Sequence, residues 1–233
     1  MNKKLIYLFL CFLFFISVMA QKEKDSLYFG IKLKWKTENL ELNKNYYSKN
    51  DTLQFSLLKF YVSGVEINYE DGSIYKEENS YHLIDFEYDN SKLFSISKNE
   101  NKPISKIVFA IGIDSTASNS GALSGDLDLQ KGMYWAWQSG YINMKIEGKS
   151  SSCKTRKNAF HFHVGGYLEP FYAMQKVEIK LNDNSNDKNQ ISLVMDLAKL
   201  FEEIKLSELN SIMIPGTEAM KIAILSTKLF SVE

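Results

Sequence analysis

Apolar and polar residues alternate in short runs along the chain, and the runs are separated by clusters of Asn, Asp, Ser, Gly and Lys. Alternation with a period of two is typical of β-strands that bury one face. The pattern predicts strands over residues 27–35, 52–61, 62–69, 81–86, 104–113, 133–146, 160–164, 174–181, 190–195 and 219–225. Many short strands of this kind indicate an all-β protein, built as an antiparallel β-sandwich.

Local turn and helix signals complete the predicted architecture. Asp71-Gly72 favours a hairpin turn, and the stretch NDNSNDKN at 182–189 is typical of a polar loop. One short helix is expected over 196–204, where Asp196 could cap the first turn and four apolar residues share one stripe. The composition stays even from Gln21 onward, so we expect one domain over 21–233.

The first twenty residues are of a different kind. Lysines precede an apolar run over residues 5–20, and Val18 and Ala20 place small side chains just before Gln21. This pattern predicts a signal peptide over 1–20 and hence an exported protein, periplasmic or at the cell surface. The run is shorter than the roughly 20 residues that a membrane-spanning helix needs, so no membrane span is expected.

The charge is balanced, with 28 basic and 28 acidic residues in the full sequence. Removal of the leader takes away lysines and no acidic residue, which leaves a nearly neutral chain. Such a chain has no electrostatic footprint for nucleic acid, so we expect no nucleic-acid partner.

Cys153 is the single cysteine that follows the leader. No disulfide can therefore form within the mature chain. Lys154, Arg156 and Lys157 flank the thiol and would favour its thiolate form. The sequence predicts either a weakly exposed thiol or a soft ligand close to a metal.

Two histidines alternate with apolar residues in the segment FHFHVGGY, residues 160–167. On a strand, His161 and His163 would project from the same face with backbone positions roughly 6.6 Å apart. Both imidazoles could then converge on one metal ion. The alternative is two half-exposed histidines on a solvated face. His82 shares its parity with Ile84 and Phe86, which favours a histidine in the core or at its rim.

The segment KGMYWAWQSGYINMKIEG, residues 131–148, carries large side chains at alternate positions. Met133, Trp135 and Trp137 would share one face of a strand. They could fill the space between two sheets, or they could line a binding site together with the histidines. Imidazole combined with a thioether favours copper over calcium or magnesium.

Three acidic residues, Asp114, Asp126 and Asp128, lie in the long irregular stretch at 114–132. Oxygen-rich loops can hold calcium, but these residues lack the spacing of an EF-hand loop. The alternative is a solvated loop in which the carboxylates cap turns.

The segments GMYWAWQSGYI, residues 132–142, and FHFHVGGY resemble the MbnP-like copper-binding domain family, and the resemblance extends over nearly the whole mature chain. It implies an exported, β-rich copper protein. In the founding members, a tryptophan oxidised to kynurenine and two histidines bind the metal. By resemblance, Trp135 matches the modified tryptophan, and His161 or His163 matches the distant histidine.

The sequence departs from that pattern at Trp137, which stands where the founding members have the nearby histidine. An intact indole has no basal lone pair, so Trp137 could give a cation only the face of its ring. Two alternatives follow. Either both histidines of the FHFHVGGY segment bind the metal, with Met133 as a soft third ligand, or this chain has lost the metal site of the founding members. The resemblance also implies a di-haem peroxidase-like redox partner.

We therefore expect an exported protein that binds copper without catalytic turnover. The chief rival is an extracellular β-sandwich module that binds a glycan or a protein through exposed aromatic residues. An exported electron-transfer enzyme is a third class, but the sequence has neither a haem attachment motif nor a cysteine set for an iron–sulfur cluster.

Overall fold

Two β-sheets pack face to face in the computed structural model, which describes residues 26–48, 51–97, 102–121, 123–138, 140–181 and 189–233. The strands are β1 Ser26–Trp35, β2 Glu38–Asn39, β3 Asn45–Ser48, β4 Asp51–Tyr69, β5 Ile74–Lys76, β6 Tyr81–Asp85, β7 Leu93–Ser97, β8 Ile104–Ile111, β9 Ile142–Ser150, β10 Ala159–Gly165, β11 Gln175–Lys180, β12 Gln190–Asp196, β13 Ser211–Ile212 and β14 Phe230–Val232. The α-helices are α1 Ser115–Asn119, α2 Ala198–Glu203 and α3 Thr217–Ser226, and several short 3-10 turns accompany them.

The first sheet runs in the order β14-β12-β1-β2, with β7 also paired to β1. The second sheet runs β11-β8-β4-β9-β10-β13, and β3, β5 and β6 pair with other stretches of β4. Most pairs are antiparallel, but β1 with β12 and β10 with β13 are parallel. The predicted all-β sandwich is confirmed, with parallel pairs that the prediction did not include.

Strand β4 is the central strand of the second sheet, and its length lets it pair with β3, β5 and β6 as well as with β8 and β9. Its nineteen residues replace the two strands predicted over 52–61 and 62–69. The register shifts between Phe55 and Leu57 and again between Ser63 and Glu66, where Gly64 has a φ of 57°. Each irregularity changes which parity faces the core, so the alternation breaks although the strand continues.

Aromatic side chains fill the space between the sheets. Trp35 of the first sheet lies 5.7 Å from Phe55 of the second, measured between ring centroids. Phe230 of β14 packs edge-on against Phe60 and Phe109 at 5.7 and 5.4 Å. Packing of this kind excludes water from large apolar areas and holds the two sheets in one register.

A second, smaller cluster of buried side chains lies apart from the main core. It contains Tyr61 and Leu83 from β4 and β6, together with Ile113, Met133 and others from the segment that links β8 to β9. The long stretch at 114–132 is held in place by hydrogen bonds: the Tyr61 hydroxyl donates to the carbonyl of Asp126 at 3.0 Å, and the Tyr141 hydroxyl donates to that of Leu127 at 2.7 Å. The described residues of this segment therefore form a layer over one region of the second sheet.

Two strand predictions are wrong in part or in full. Residues 219–225 lie in helix α3, whose buried residues Ala219, Ile222 and Ala223 have helical spacing. Of the strand predicted over 133–146, the part from Ile142 belongs to a regular strand, and an isolated antiparallel bridge joins Tyr134 to Tyr141 before it. Left-handed glycines at both ends of the 133–139 stretch, Gly132 with a φ of 72° and Gly140 with 104°, favour turns there.

The other local predictions are confirmed where the structure describes them. The helix predicted over 196–204 corresponds to the shorter α2, whose N-cap residue is Leu197 and not Asp196; the Asp196 carboxylate accepts a hydrogen bond from the backbone N–H of Ala198 at 3.1 Å. Asp71-Gly72 forms the turn between β4 and β5. The predicted leader and residues 182–188 of the polar loop lie outside the described residues. Among the helices in the described ranges, none is long and apolar enough to span a membrane.

Candidate functional site

Strand β10 places two histidines on the outer face of the second sheet. Phe160, Phe162 and Val164 are fully buried in the main core, so the intervening His161 and His163 project from the opposite face. The sequence-based prediction that the two imidazoles share a face is confirmed. The neighbouring strand β9 presents polar residues to them, since His161 pairs with Glu147 and His163 with Lys145.

His163 is 7% exposed, and its Nε2 lies 2.7 Å from Oε1 of Glu147. Burial lowers the pKa of His163 and outweighs the opposing effect of the Glu147 hydrogen bond. The imidazole is therefore neutral at pH 7, with Nε2–H donating to the carboxylate. This tautomer leaves the lone pair of Nδ1 as a free donor for a metal ion.

His161 is half-buried and lies between β9 and the short strand β13. Its side chain makes no hydrogen bond with any described residue, so neither ring nitrogen is committed to another partner. Within the described ranges no group of three or more His, Cys, Asp and Glu side chains is close enough to hold a metal ion. A metal bound by the two histidines would need a further donor of another type.

Trp135 lies at the end of the same row. Gly165 follows His163 at the same parity, and a Cβ added to Gly165 would lie 2.8 Å from Cζ3 of Trp135. The absence of a side chain at Gly165 thus lets the indole lie directly on the strand. Trp135 is 5% exposed, and its buried Nε1 has no hydrogen-bond partner among the described atoms.

Met133 and Trp137 occupy different environments, contrary to the shared strand face that the alternation predicted. Met133 is fully buried in the same small cluster as Trp135, and its carbonyl accepts a hydrogen bond from Ile142. Trp137 is 62% exposed, with its ring 6.1 Å from that of Trp135. The turn over 136–138 causes the difference, because it ends the alternation after Trp135.

Glu147 was missed in the sequence analysis. It lies on β9, within the confirmed part of the strand predicted over 133–146. Its position alternates with those of the buried Met144 and Ile146, so its side chain faces the other way. Its pairing with β10 depends on the register across the hairpin, which includes a shift between Val164 and Gly165. The alternation could have identified an outward-facing carboxylate, but not the histidine that it contacts.

The three aspartates considered for calcium each serve a separate structural role. Asp114 accepts from the N–H of Ala117 at the start of α1 and from the Tyr81 hydroxyl. Asp126 accepts from the N–H of Leu83, and Asp128 from that of Gln130. These contacts agree with the alternative of turn-capping carboxylates. Burial, together with the hydrogen bond to Asp114, raises the pKa of Tyr81 to about 12.

The remaining candidates lie away from the histidine row. His82 is partly buried, stacks on Phe94 at 4.0 Å and pairs with Glu77 at 2.8 Å, which confirms a rim histidine. Cys153 is 3% exposed, and burial raises the pKa of its thiol. The expectation of a thiolate-prone cysteine is therefore wrong, because the sulfur packs in the core, where burial disfavours the charged form.

The sequence model of the MbnP family matches residues 24–214. Among solved structures, MbnP from Methylosinus trichosporium is similar in fold, with a TM-score of 0.57 and 15% sequence identity over 82% of each chain. None of the curated proteins matches the sequence significantly.

Proposed function

This chain belongs to the MbnP family, and on that premise we propose that it is an exported protein that binds copper through His161 and His163, beside Trp135. The observation that supports the proposal best is the placement of both imidazoles on one outer face of β10, the strand whose Gly165 packs against the buried indole of Trp135. Copper is proposed rather than calcium or magnesium because imidazole nitrogens, and not a set of oxygen ligands, are the available donors.

The donor set of this chain fits such a metal in two respects. His161 has no competing hydrogen bond, and His163 is neutral with its Nε2 committed to Glu147. A metal-binding histidine commonly donates its second ring N–H to a carboxylate, which fixes the tautomer and orients the ring. The pair His163 and Glu147 has this arrangement.

Met133 and the two tryptophans complete the proposed environment. The thioether of Met133 is buried in the cluster that includes Trp135 and would serve as a soft third donor, which favours Cu(I). Trp135 would shield the metal or be modified, and Trp137 would offer only its ring face. The unpartnered Nε1 of Trp135 shows that the buried indole is not held by a polar contact of its own.

We further propose that the protein does not turn over a substrate and acts in the periplasm or at the cell surface. A binding role requires no acid, base or nucleophile, and the one thiol of the described chain is buried. A di-haem peroxidase-like protein remains the proposed redox partner, because modification of Trp135 needs an external oxidant.

The decisive experiment is a competition titration of the purified mature chain with Cu(I) and a chromophoric chelator of known affinity. We expect uptake of about one equivalent. The double variant His161→Ala/His163→Ala should lose this uptake. His82→Ala is the matched control, because it removes a histidine that pairs with Glu77 far from the row.

Uptake by the wild-type chain that survives the double substitution would place the metal elsewhere. No uptake by the wild-type chain would overturn the proposal. Intact-mass analysis of protein from its native source would test Trp135 separately, since conversion to kynurenine exchanges one carbon atom for one oxygen atom and leaves the hydrogen count unchanged.

A further inference from the structure

We propose that a cleft beside Trp137 binds a neutral, β-linked oligosaccharide of the gluco configuration. The cleft has a volume of about 410 Å³ and lies between the turn at 136–138, the loop at 166–171 and the residues that precede α3. Its size falls within the range of about 300–1,000 Å³ that is usual for small-ligand sites. The inference goes beyond copper binding and does not depend on it.

The walls of the cleft are built to a fixed shape. A Cβ at Gly166 would lie 2.1 Å from the carbonyl oxygen of Phe171, and a Cβ at Gly140 would lie 2.5 Å from the ring of Tyr167. Both glycines have positive φ values, 138° and 104°. These close approaches, with the hydrogen bond from Ala173 N–H to the Gly166 carbonyl at 2.9 Å, bring the loops together without a ligand. The cleft is therefore preformed, which lowers the entropic cost of binding.

The side chains in the cleft combine a flat aromatic surface with free polar groups. Trp137 is 62% exposed and Leu168 is 60% exposed. Beside them, the side chains of Gln138 and Glu169 make no hydrogen bond or ion pair with the described residues. The amide both donates and accepts, and the carboxylate accepts.

This combination matches a sugar better than an apolar partner. In β-linked sugars of the gluco configuration the hydroxyls and the linkages are all equatorial, so the chain is extended and its flat C–H faces can pack on an indole, whereas an α linkage curves the chain. The hydroxyls of such a sugar need donors and acceptors around the rim. An apolar peptide would cover the amide of Gln138 and the carboxylate of Glu169 and leave them unsatisfied, which costs free energy. The presence of both groups in the cleft therefore favours the hydroxyl-rich ligand.

The test uses cellotetraose and chitotetraose with the purified mature chain, and maltotetraose as the α-linked comparison. Trp35 and Trp135 are 3% and 5% exposed, so acrylamide quenching of fluorescence reports mainly on Trp137. We expect at least one β-linked sugar to protect the indole, with a dissociation constant on the order of 1 mM, and maltotetraose to protect it less.

Calorimetry of variants then assigns the binding to the cleft. Trp137→Ala and the double variant Gln138→Ala/Glu169→Ala should each weaken binding by about 10-fold or more. Tyr47→Ala is the control, because it removes an aromatic side chain that is 71% exposed on β3. The variant His161→Ala/His163→Ala should lose copper and keep the sugar, so the two proposals can fail separately.

Several results would overturn the inference. The first is that neither β-linked sugar protects the indole from quenching at about 20 mM, about twenty times the expected dissociation constant. The second is that Trp137→Ala leaves sugar binding unchanged in calorimetry. Protection by an apolar peptide alone would make the cleft a peptide-docking surface. Self-association that Trp137→Ala abolishes would assign it to a second copy of the chain.

Discussion

Glu147 on β9 holds the imidazole of His163 on β10, with Oε1 and Nε2 2.7 Å apart across the strand pair. The contact joins two residues that are sixteen positions apart in the chain. It fixes which ring nitrogen carries the proton and therefore which nitrogen is left for a ligand. Glu147 is a positioning residue in the proposed copper site.

Glu147→Gln should weaken copper binding by about 10- to 100-fold without abolishing it, because an amide orients the ring less strongly than a carboxylate. The competition titration measures the change. Glu178→Gln is the control, since that carboxylate pairs with Lys106 on β8, away from the histidines. Equal affinities for wild type and Glu147→Gln would show that His163 binds without help from Glu147.

Gly165→Ala should destabilise the fold by about 1–3 kcal/mol, the usual cost of overpacking. The added methyl group would lie 2.7 Å from the Tyr141 carbonyl oxygen and 2.8 Å from Trp135, so the indole must move. Urea unfolding followed by fluorescence measures the loss, and copper affinity should fall with it. Gly216→Ala is the matched control, because no atom lies within 4 Å of its added Cβ. Similar losses in both variants would contradict the close contact of Gly165 with Trp135.

Cys153 should react with a thiol reagent on the order of 100-fold more slowly in the native protein than in concentrated guanidinium. The sulfur is buried, it donates a weak hydrogen bond to the Leu206 carbonyl at 3.6 Å, and burial raises the pKa of the thiol. The absorbance of the released aromatic thiolate gives both rates, with Cys153→Ser as the blank. Equally fast reaction in both conditions would mean that the thiol is exposed.

Asp51 should stabilise the fold in a pH-dependent way. The hydroxyls of Ser150, Ser151 and Ser152 donate to its carboxylate. Burial acts to raise the pKa of Asp51, but these hydrogen bonds outweigh it and lower the pKa. A depressed folded-state pKa gives stability that is present above the unfolded value of about 3.9 and is lost as the pH falls through the folded value.

Asp51→Asn should therefore lower the free energy of unfolding at pH 7 by about 1 kcal/mol, since the side chain is only partly buried. The variant should also lose less stability than wild type as the pH falls below the unfolded-state pKa of about 3.9. Urea titrations at a series of pH values measure both effects. Asp89→Asn, which removes an exposed carboxylate paired with Lys92, should change stability little. Parallel pH profiles for wild type and Asp51→Asn would rule out this role.

Most of the fold could be predicted from the sequence because one face of nearly every long strand is buried. In β1, Leu27, Phe29 and the next alternate residues are buried, and the alternation predicted the strand to within one residue. Short strands such as β2 and β13 escaped prediction, since two residues carry no periodicity. Helix α3 was predicted as a strand because its small and β-branched residues are compatible with both states.

The candidate site was predictable only where it lies on a regular strand. His161 and His163 follow from the alternation of β10. Trp137 does not, since the left-handed glycines around the 133–139 stretch convert the expected strand into a turn. The cleft brings together residues from three distant segments, and nothing local in the sequence indicates that Gln138 and Glu169 meet.

The parallel pairing of β1 with β12 has a consequence for the order in which the protein folds. Tyr28 lies in register opposite Gln190, and its N–H donates to the carbonyl of Asn189 at 2.8 Å, so one edge of the first strand stays open until most of the chain is available. Contacts between such distant residues slow folding, and an open strand edge can pair with other molecules in the meantime. A chain that stops at residue 189 should therefore aggregate and lack cooperative unfolding. The fold is completed only when the last forty-four residues are present.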